Sequence, residues 1–327
     1  MTEREIPIRE LKEFRIGQAE DEEAGTGCTV IIGCEEMRAG LDVRGGGPAS
    51  RDSRILEPVA AAESIHAVVL AGGSAFGLGA AGGVMELLEK RGIGFDVGVT
   101  KVPLVVQSDL FDLTVGSVQV RPGPEMGYAA ALAALDAPNY RDGNYGAGCG
   151  ATVGKWAGME TCMKSGIGSY AIALGELKIG ALAAVNALGD IYDWKTGRKV
   201  AGLLSEDRKT FRSTEELMLQ SYVPRDNKFT GNTTLGVVLT NARFNKTQLT
   251  KIAAMAQDGF ARSIRPVHTS ADGDSIYALS AGHVSADMDL VGTLAAKVMS
   301  EAILQAVYAA KSAYGFPSAS EWKRETE

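Results

Sequence analysis

Short apolar runs separated by glycines and polar turns dominate the first half of the chain. Residues 28–34 (CTVIIGC) and 66–71 (HAVVLA) are rich in Val and Ile with glycine close by, the pattern of buried strands. From 75 to 90 a helix is predicted, with Phe76, Leu78, Val84, Leu87 and Leu88 on its apolar face. Residues 118–120 read as a further strand, leading into an alanine-rich helix over 127–135 that the breaker Asp136-Ala137-Pro138 closes. Small and branched apolar residues alternate from 168 to 187. They predict a strand pair joined near Gly175-Glu176-Leu177-Lys178, with Asn186 at the end of the second strand.

The pattern breaks after Leu204. Residues 205–232 are crowded with charge and contain Pro224, which predicts an exposed connector. A compact strand over 234–241 follows abruptly, and Asn245 caps a helix over 246–262. A polar loop at 269–275, a strand at 276–279 and a long alanine-rich helix over about 287–314 complete the chain. A length of 327 residues allows one large domain or two ordinary ones. Strands and helices mix on both sides of the connector, so a single α/β body with a surface excursion fits better.

Composition narrows the class. With 45% apolar and 22% charged residues the chain is an ordinary globular one, not disordered, collagenous or coiled-coil. Forty glycines, roughly 12% against a usual figure of about 7%, require many tight turns or close backbone approaches. A net charge of −7 without any Lys/Arg cluster argues against a nucleic-acid partner. Cys28, Cys34, Cys149 and Cys162 form no CxxC pair, so reduced thiols in a cytoplasmic protein are expected. Residues 1–14 have no apolar core of a secretory signal. The uncharged stretch 65–85 is long enough to cross a bilayer, but its glycines fit a strand, turn and helix better, and no membrane partner is expected.

Candidate chemistry comes from four places. Gly77-Leu78-Gly79-Ala80-Ala81-Gly82 satisfies the dinucleotide fingerprint, with Asp96 about 20 residues on. Yet Gly72-Gly73 already occupies the turn after the strand, so this run falls inside the helix and reads as tight packing, with an NAD(P)-binding oxidoreductase as the lesser alternative. Asp272-Gly273-Asp274 resembles the start of a calcium loop but lacks the glycine at position six and the glutamate at twelve. His66, His268 and His283 are the only histidines, which offers little to a Ser-His-Asp hydrolase. His66 reads as a satisfied core or rim residue. Finally, Asn232-Thr233 stands where the charged connector meets an apolar strand. A chain cut before Thr233 would place a free amine, of pKa about 7.7–8.0, beside the threonine hydroxyl as its own base.

Several segments taken together resemble one family: Gly25-Thr26-Gly27-Cys28-Thr29-Val30, Asp42-Val43-Arg44-Gly45-Gly46, His66-Ala67-Val68-Val69-Leu70, Gly72-Gly73-Ser74-Ala75-Phe76-Gly77-Leu78, Val102-Pro103-Leu104-Val105, Gly146-Ala147-Gly148 and Asn232-Thr233. They resemble the self-processing N-terminal-nucleophile hydrolases that include D-aminopeptidases, β-peptidyl aminopeptidases and 6-aminohexanoate-oligomer (nylon oligomer) hydrolases, and stand nearer the last branch. The resemblance implies a four-layer α/β/β/α sandwich like that of ornithine acetyltransferase. It implies one cut between Asn232 and Thr233, giving chains 1–232 and 233–327 of a single domain, with Thr233 as nucleophile. Asn186 corresponds to the family's side-chain amide near the oxyanion, Lys155 to a lysine near the nucleophile, and Asp272 and Asp274 to the oligomer-hydrolase branch's acidic pair. The aminopeptidase branch has a tyrosine after its Val-Pro segment, where Ser108-Asp109-Leu110-Phe111 has none; Tyr145 is the substitute if the fold brings it near. No cofactor or metal is implied. The expected partner is a short peptide or oligoamide substrate, within a homo-oligomer such as a tetramer of cleaved heterodimers. An acyltransferase on the same fold, in which an amine replaces water, is the alternative reaction.

Overall fold

The computed structural model of the chain describes residues 2–220 and 231–322. The main strands in chain order are β1 (Arg4–Ile6), β2 (Phe14–Asp21), β3 (Thr26–Val43), β4 (Ala49–Arg51), β5 (Ile65–Ala71), β6 (Val105–Asp109), β7 (Ile167–Leu174), β8 (Leu177–Asn186), β9 (Thr233–Ala242) and β10 (Ser275–Val284). The principal helices are α1 (Ala80–Lys90), α2 (Pro124–Asp136), α3 (Lys246–Ser263) and α4 (Met288–Ala309). The long β3 joins two half-sheets. Its first half pairs with β2 on one side and β5 on the other, and its register breaks between Ile32 and Met37. Its second half then pairs with β10. The strand order β1-β7-β8-β9-β10-β3-β5-β6-β4 follows.

Three apolar layers fill the space between four layers of structure. Leu235, Val237 and Leu239 of β9 meet Ile31, Val68 and Val106 between the half-sheets, whereas Val238 points to Leu249, Phe260 and Met299 beneath α3 and α4. On the far side Val30, Ile32 and Val69 pack against Val84, Leu88, Ala130 and Ala134 of α1 and α2. The result is the α/β/β/α sandwich. Because β9 is buried on both faces, its centre, residues 235–239 (LGVVL), is a continuous run without polar side chains instead of an alternation. At the start of α3 the cap is reciprocal: the Asn245 side chain accepts from the Gln248 N–H, and the Gln248 side chain accepts from the Asn245 N–H. Within α4 lies a window apolar enough to cross a membrane, but 72% of it is buried in the fold, as in a core helix.

Several expected elements differ. The helix expected over 75–90 begins at Ala80 behind a 3-10 turn at Ser74–Gly79, and Phe76, expected on its apolar face, is exposed. The strand expected over 28–34 runs from Thr26 to Val43. Residues 118–120 are not a strand, because Arg121 Nε donates to the Val118 carbonyl and folds the segment back, leaving Val118 and Val120 partly exposed. The last helix ends at Ala309, since Ala310 turns to extended angles and its carbonyl accepts from Ser320 Oγ. Strand β10 runs on to Val284, past the polar Ser280 and His283 that hide its continuation in the sequence. Of the connector, residues 221–230 lie outside the described residues, while Thr214 is fully buried, held by Asp190 through both its N–H and its hydroxyl.

Within the glycine-rich run tight packing falls on Gly77, where a Cβ would strike the Gly72 carbonyl, and on Gly83, which presses on α2, and not on Gly79 or Gly82. A Cβ on Gly83 would lie 1.7 Å from the Pro124 carbonyl oxygen, and one on Gly127 2.0 Å from that of Ala80, so α1 and α2 touch backbone to backbone. Gly82, the last glycine of the fingerprint, has no neighbour closer than 3.9 Å. Gly83→Ala is therefore expected to cost about 1–3 kcal/mol through overpacking. Gly82→Ala should be neutral or stabilise by up to about 1 kcal/mol, since alanine is the better helix former. Urea unfolding of both variants checks this, and equal losses would contradict it.

Candidate active site

Thr233 opens β9 and stands opposite Asn186, the last residue of β8, in an antiparallel pair. Beside them β10 runs parallel to β9 and begins at Ser275, so the loop before it reaches the same edge. Gly273 N–H donates to Thr233 Oγ1 at 3.0 Å. Asp274 Oδ1 accepts from the Thr234 N–H at 2.8 Å, and its Oδ2 is 3.0 Å from both the backbone nitrogen and Nδ1 of His268. Asp272 accepts from the Leu188 N–H through Oδ1 and from the Thr269 hydroxyl and N–H through Oδ2. The acidic pair thus ties the start of β9 to the end of β8.

Lys155 is buried at 2% exposure, not a solvated surface lysine. Its Nζ donates to Asn186 Oδ1 at 2.6 Å, to the Asn186 carbonyl at 3.1 Å and to the Gly231 carbonyl at 3.3 Å. With the Thr152 N–H also on Oδ1, the Asn186 amide is oriented, and its NH2 donates to the Phe111 carbonyl at 2.8 Å. Asn232 is 3% and Thr233 2% exposed, so the chain itself fills the site. The broad cleft of about 710 Å³ beside β1 is lined by Tyr140, Asp142 and Tyr170, and by none of these residues.

Two glycine motifs serve this site. The run Gly45-Gly46-Gly47 lies flat on the loop: Gly45 N–H donates to the Asp274 carbonyl, Gly46 N–H to that of Thr269 and Gly47 N–H to that of Asp272. A Cβ on Gly45 would lie 2.3 Å from the Asp274 nitrogen, which leaves no room for any other residue. At the turn after β5, Gly73 adopts φ 82° and donates to Asp112 Oδ1, while Thr26 donates to Asp112 Oδ2. A Cβ on Gly72 would strike that carboxylate. Asp112 thereby fixes the loop that presents the Phe111 carbonyl to Asn186.

Burial governs the charges. It lowers the Lys155 ammonium from 10.5 to about 8, against the opposing pull of Cys162, Asp272 and Asp112, and raises Asp272 from 3.8 to about 6, with the neighbouring Asp274 adding to the shift. Lys164, whose Nζ donates to the carbonyls of Gly148, Ala151 and Ser165, is likewise lowered to about 7. Both lysines have folded values below their unfolded ones. Their contribution to stability is present above the unfolded value of 10.5 and is lost as pH falls through about 8 and then about 7. Lys155 alone accounts for about 3 kcal/mol. Between pH 7 and 10 the melting temperature of Lys155→Met is expected to depend less steeply on pH than that of wild type; parallel curves in differential scanning calorimetry would refute this.

Thr233, Asn232, Asn186, Lys155, Asp272 and Asp274, all singled out from sequence, converge at one edge of the sheet. Three partners were not legible. His268, held on Asp274 with φ 58°, is six residues away and bears no motif. Gly273 acts through its N–H, which any residue but proline supplies. Phe111 acts through its carbonyl. Tyr145 does not join the site but stacks on Arg141, with the guanidinium 3.7 Å from the ring centroid. Ser108 instead bonds the buried Tyr277 hydroxyl at 2.6 Å. His66 accepts from the Leu104 N–H through Nδ1, as a satisfied rim histidine does. Among the described residues no group of three His, Cys, Asp or Glu side chains is placed to hold a metal ion.

Known proteins resemble the chain over most of its length. The sequence profile of peptidase family S58 matches residues 8–320. An uncharacterized aminopeptidase of Mycobacterium leprae is 37% identical over 314 residues, covering 89% of this chain and 85% of the relative. A 6-aminohexanoate-oligomer endohydrolase of Agromyces sp. is 29% identical over 324 residues, covering 93% and 87%. In fold, the chain is similar to the L-aminopeptidase D-Ala-esterase/amidase of Ochrobactrum anthropi, a variant of the Ntn hydrolase fold, with a TM-score of 0.65 at 16% identity over 91% of this chain and 84% of that one.

Proposed function

Since the chain belongs to peptidase family S58 and is a hydrolase acting on amide bonds, we propose that it works by an N-terminal nucleophile, Thr233, released by self-cleavage after Asn232. The observation that carries this reading is the buried Asn232-Thr233 peptide, with Thr233 Oγ1 held by the Gly273 N–H among Asn186, Lys155, Asp272 and Asp274. In the first reaction Oγ1 attacks the Asn232 carbonyl carbon, and its proton passes to the departing Thr233 nitrogen. Water opens the resulting ester, leaving the Asn232 carboxylate, a free Thr233 amine and chains 1–232 and 233–327.

The same atom then serves substrates. The neutral amine takes the Oγ1 proton as Oγ1 attacks an amide carbonyl, gives it to the leaving amine, and water clears the acyl ester. Asn186, oriented by Lys155, supplies an N–H to the developing oxyanion. The Gly273 N–H stabilises Oγ1 as it loses its proton. Asp274 fixes the Thr234 end of the new terminus, and Asp272 offsets the Lys155 charge. Short peptides or oligoamides are the substrates, in keeping with the activities for which the relatives are named. Intact-mass analysis of purified protein should show two polypeptides meeting at Asn232 and Thr233, together with amide turnover; an uncut yet active protein would sink the proposal.

A further inference from the structure

Among the described residues the polar contacts of His268 go to Asp274 alone. Its backbone N–H and its ring Nδ1 both lie 3.0 Å from Asp274 Oδ2. Nδ1 carries its proton there, because a lone pair in that place would face the lone pairs of the carboxylate. The other ring nitrogen, Nε2, is buried with no partner among the described residues. The ring lies against Phe260, with centroids 6.1 Å apart and planes 26° from parallel. His268 reaches this position through a left-handed backbone, φ 58°, which side chains other than glycine adopt rarely and at a cost.

Asp274 needs this hold. The torsion about its Cβ–Cγ bond is soft, so a carboxylate bound through Oδ1 alone would turn. Two donors on Oδ2 fix its plane and aim Oδ1 at the Thr234 N–H, 2.8 Å away. Thr269, the next residue, does the same for the other carboxylate, since its hydroxyl and its N–H both donate to Asp272 Oδ2. Residues 268 and 269 therefore grip residues 272 and 274, and Gly273 between the carboxylates presents its N–H to Thr233 Oγ1 at 3.0 Å.

We infer that His268 is a positioning residue for this site: by locking Asp274 through Nδ1 it sets the Thr233-Thr234 peptide and the approach of Oγ1 to the bond it attacks. The inference rests on Thr233 being the nucleophile. The histidine transfers no proton and touches no substrate, so its loss slows the reaction without weakening substrate binding. Self-cleavage and turnover suffer together, because both use one geometry.

Two variants isolate the side-chain donor. His268→Asn and His268→Gly both tolerate the left-handed backbone, keep the backbone N–H and give up the stack on Phe260, but only asparagine offers a side-chain N–H close to the place of Nδ1. The measurements are the rate at which the two chains appear and, on protein cleaved to completion, kcat and KM for alanine p-nitroanilide. His268→Gly is expected to lower the cleavage rate and kcat by at least about tenfold, approaching the hundredfold that a displacement of about 1 Å costs, with KM little changed. His268→Asn should recover most of that loss. If asparagine is no better than glycine, if only KM changes, or if His268→Gly keeps wild-type rates, the inference is overturned and Thr233 keeps its role. His268→Ala, also without the donor, replaces the glycine variant should that one fail to fold, and the self-cleavage rate decides alone should wild type leave the anilide intact. A wild-type protein that hydrolyses the anilide while uncut removes the Thr233 reading, and the inference with it.

Discussion

Thr233→Ala is expected to purify as one full-length polypeptide of 327 residues, to fold as the wild type does, and to lose amide hydrolysis by at least about four orders of magnitude. Both losses have one cause in the proposed mechanism, where a single oxygen is used first on the chain's own Asn232 carbonyl and then on substrate. Folding should survive because Thr233 Oγ1 receives only one hydrogen bond among the described residues, from Gly273, and losing it costs about 1 kcal/mol. Thr233→Ser keeps a hydroxyl in the same position and should still be cut, so it separates loss of the nucleophile from loss of the site. Intact mass, a melting curve and a turnover assay on each variant give the answer. A Thr233→Ala protein that is found cleaved after Asn232 would require another nucleophile.

Gly273→Ala should be nearly as damaging to activity while sparing the fold. A Cβ at this position would sit 2.5 Å from Thr233 Oγ1, 2.9 Å from the Gly47 carbonyl oxygen and 3.2 Å from Pro48 Cα. The first contact cannot stand. The Thr233 hydroxyl ends a side chain and can rotate away, which relieves the strain at the expense of the attack geometry and of the hydrogen bond from the Gly273 N–H. A misplacement of about 1 Å at a reacting atom costs on the order of a hundredfold. Self-cleavage should slow and kcat fall by about that factor, with a melting temperature within a few degrees of wild type. Gly45→Ala provides the contrast, because its Cβ would meet backbone atoms of Asp272 and Asp274 and nothing that can rotate. It is expected to lower stability as well as activity. Full activity in Gly273→Ala would remove that residue from the site.

The alternation of apolar runs and glycine turns specified most of the elements, since burial on one or both faces leaves a local periodic trace that needs no knowledge of the partner. The strand pair ending at Asn186 and the abrupt start of the strand at Thr233 were legible for that reason. The resemblance picked out Lys155, Asp272 and Asp274 as residue types at recognisable places. Their interactions were not legible. Lys155 looks like any surface lysine until its Nζ is seen buried on Asn186 and Gly231. The strand over 118–120 failed because two valines flanking Gln119 between turns carry too little pattern to outweigh one arginine-to-carbonyl bond.

Gly45-Gly46-Gly47 shows where the boundary lies. Its composition announces a close approach, yet the partner is the backbone of residues 269–274, more than two hundred positions away. The sequence alone determined most element types and an α/β class, which depend on local spacing and burial, while the layered sandwich and most of the site side chains were legible only through the family resemblance. Tertiary structure alone decided which N–H faces the Thr233 hydroxyl, which carbonyl holds the Asn186 amide, and that His268 rather than Tyr145 stands beside Asp274. Those contacts use backbone groups common to almost every residue, and only the fold gives them a direction.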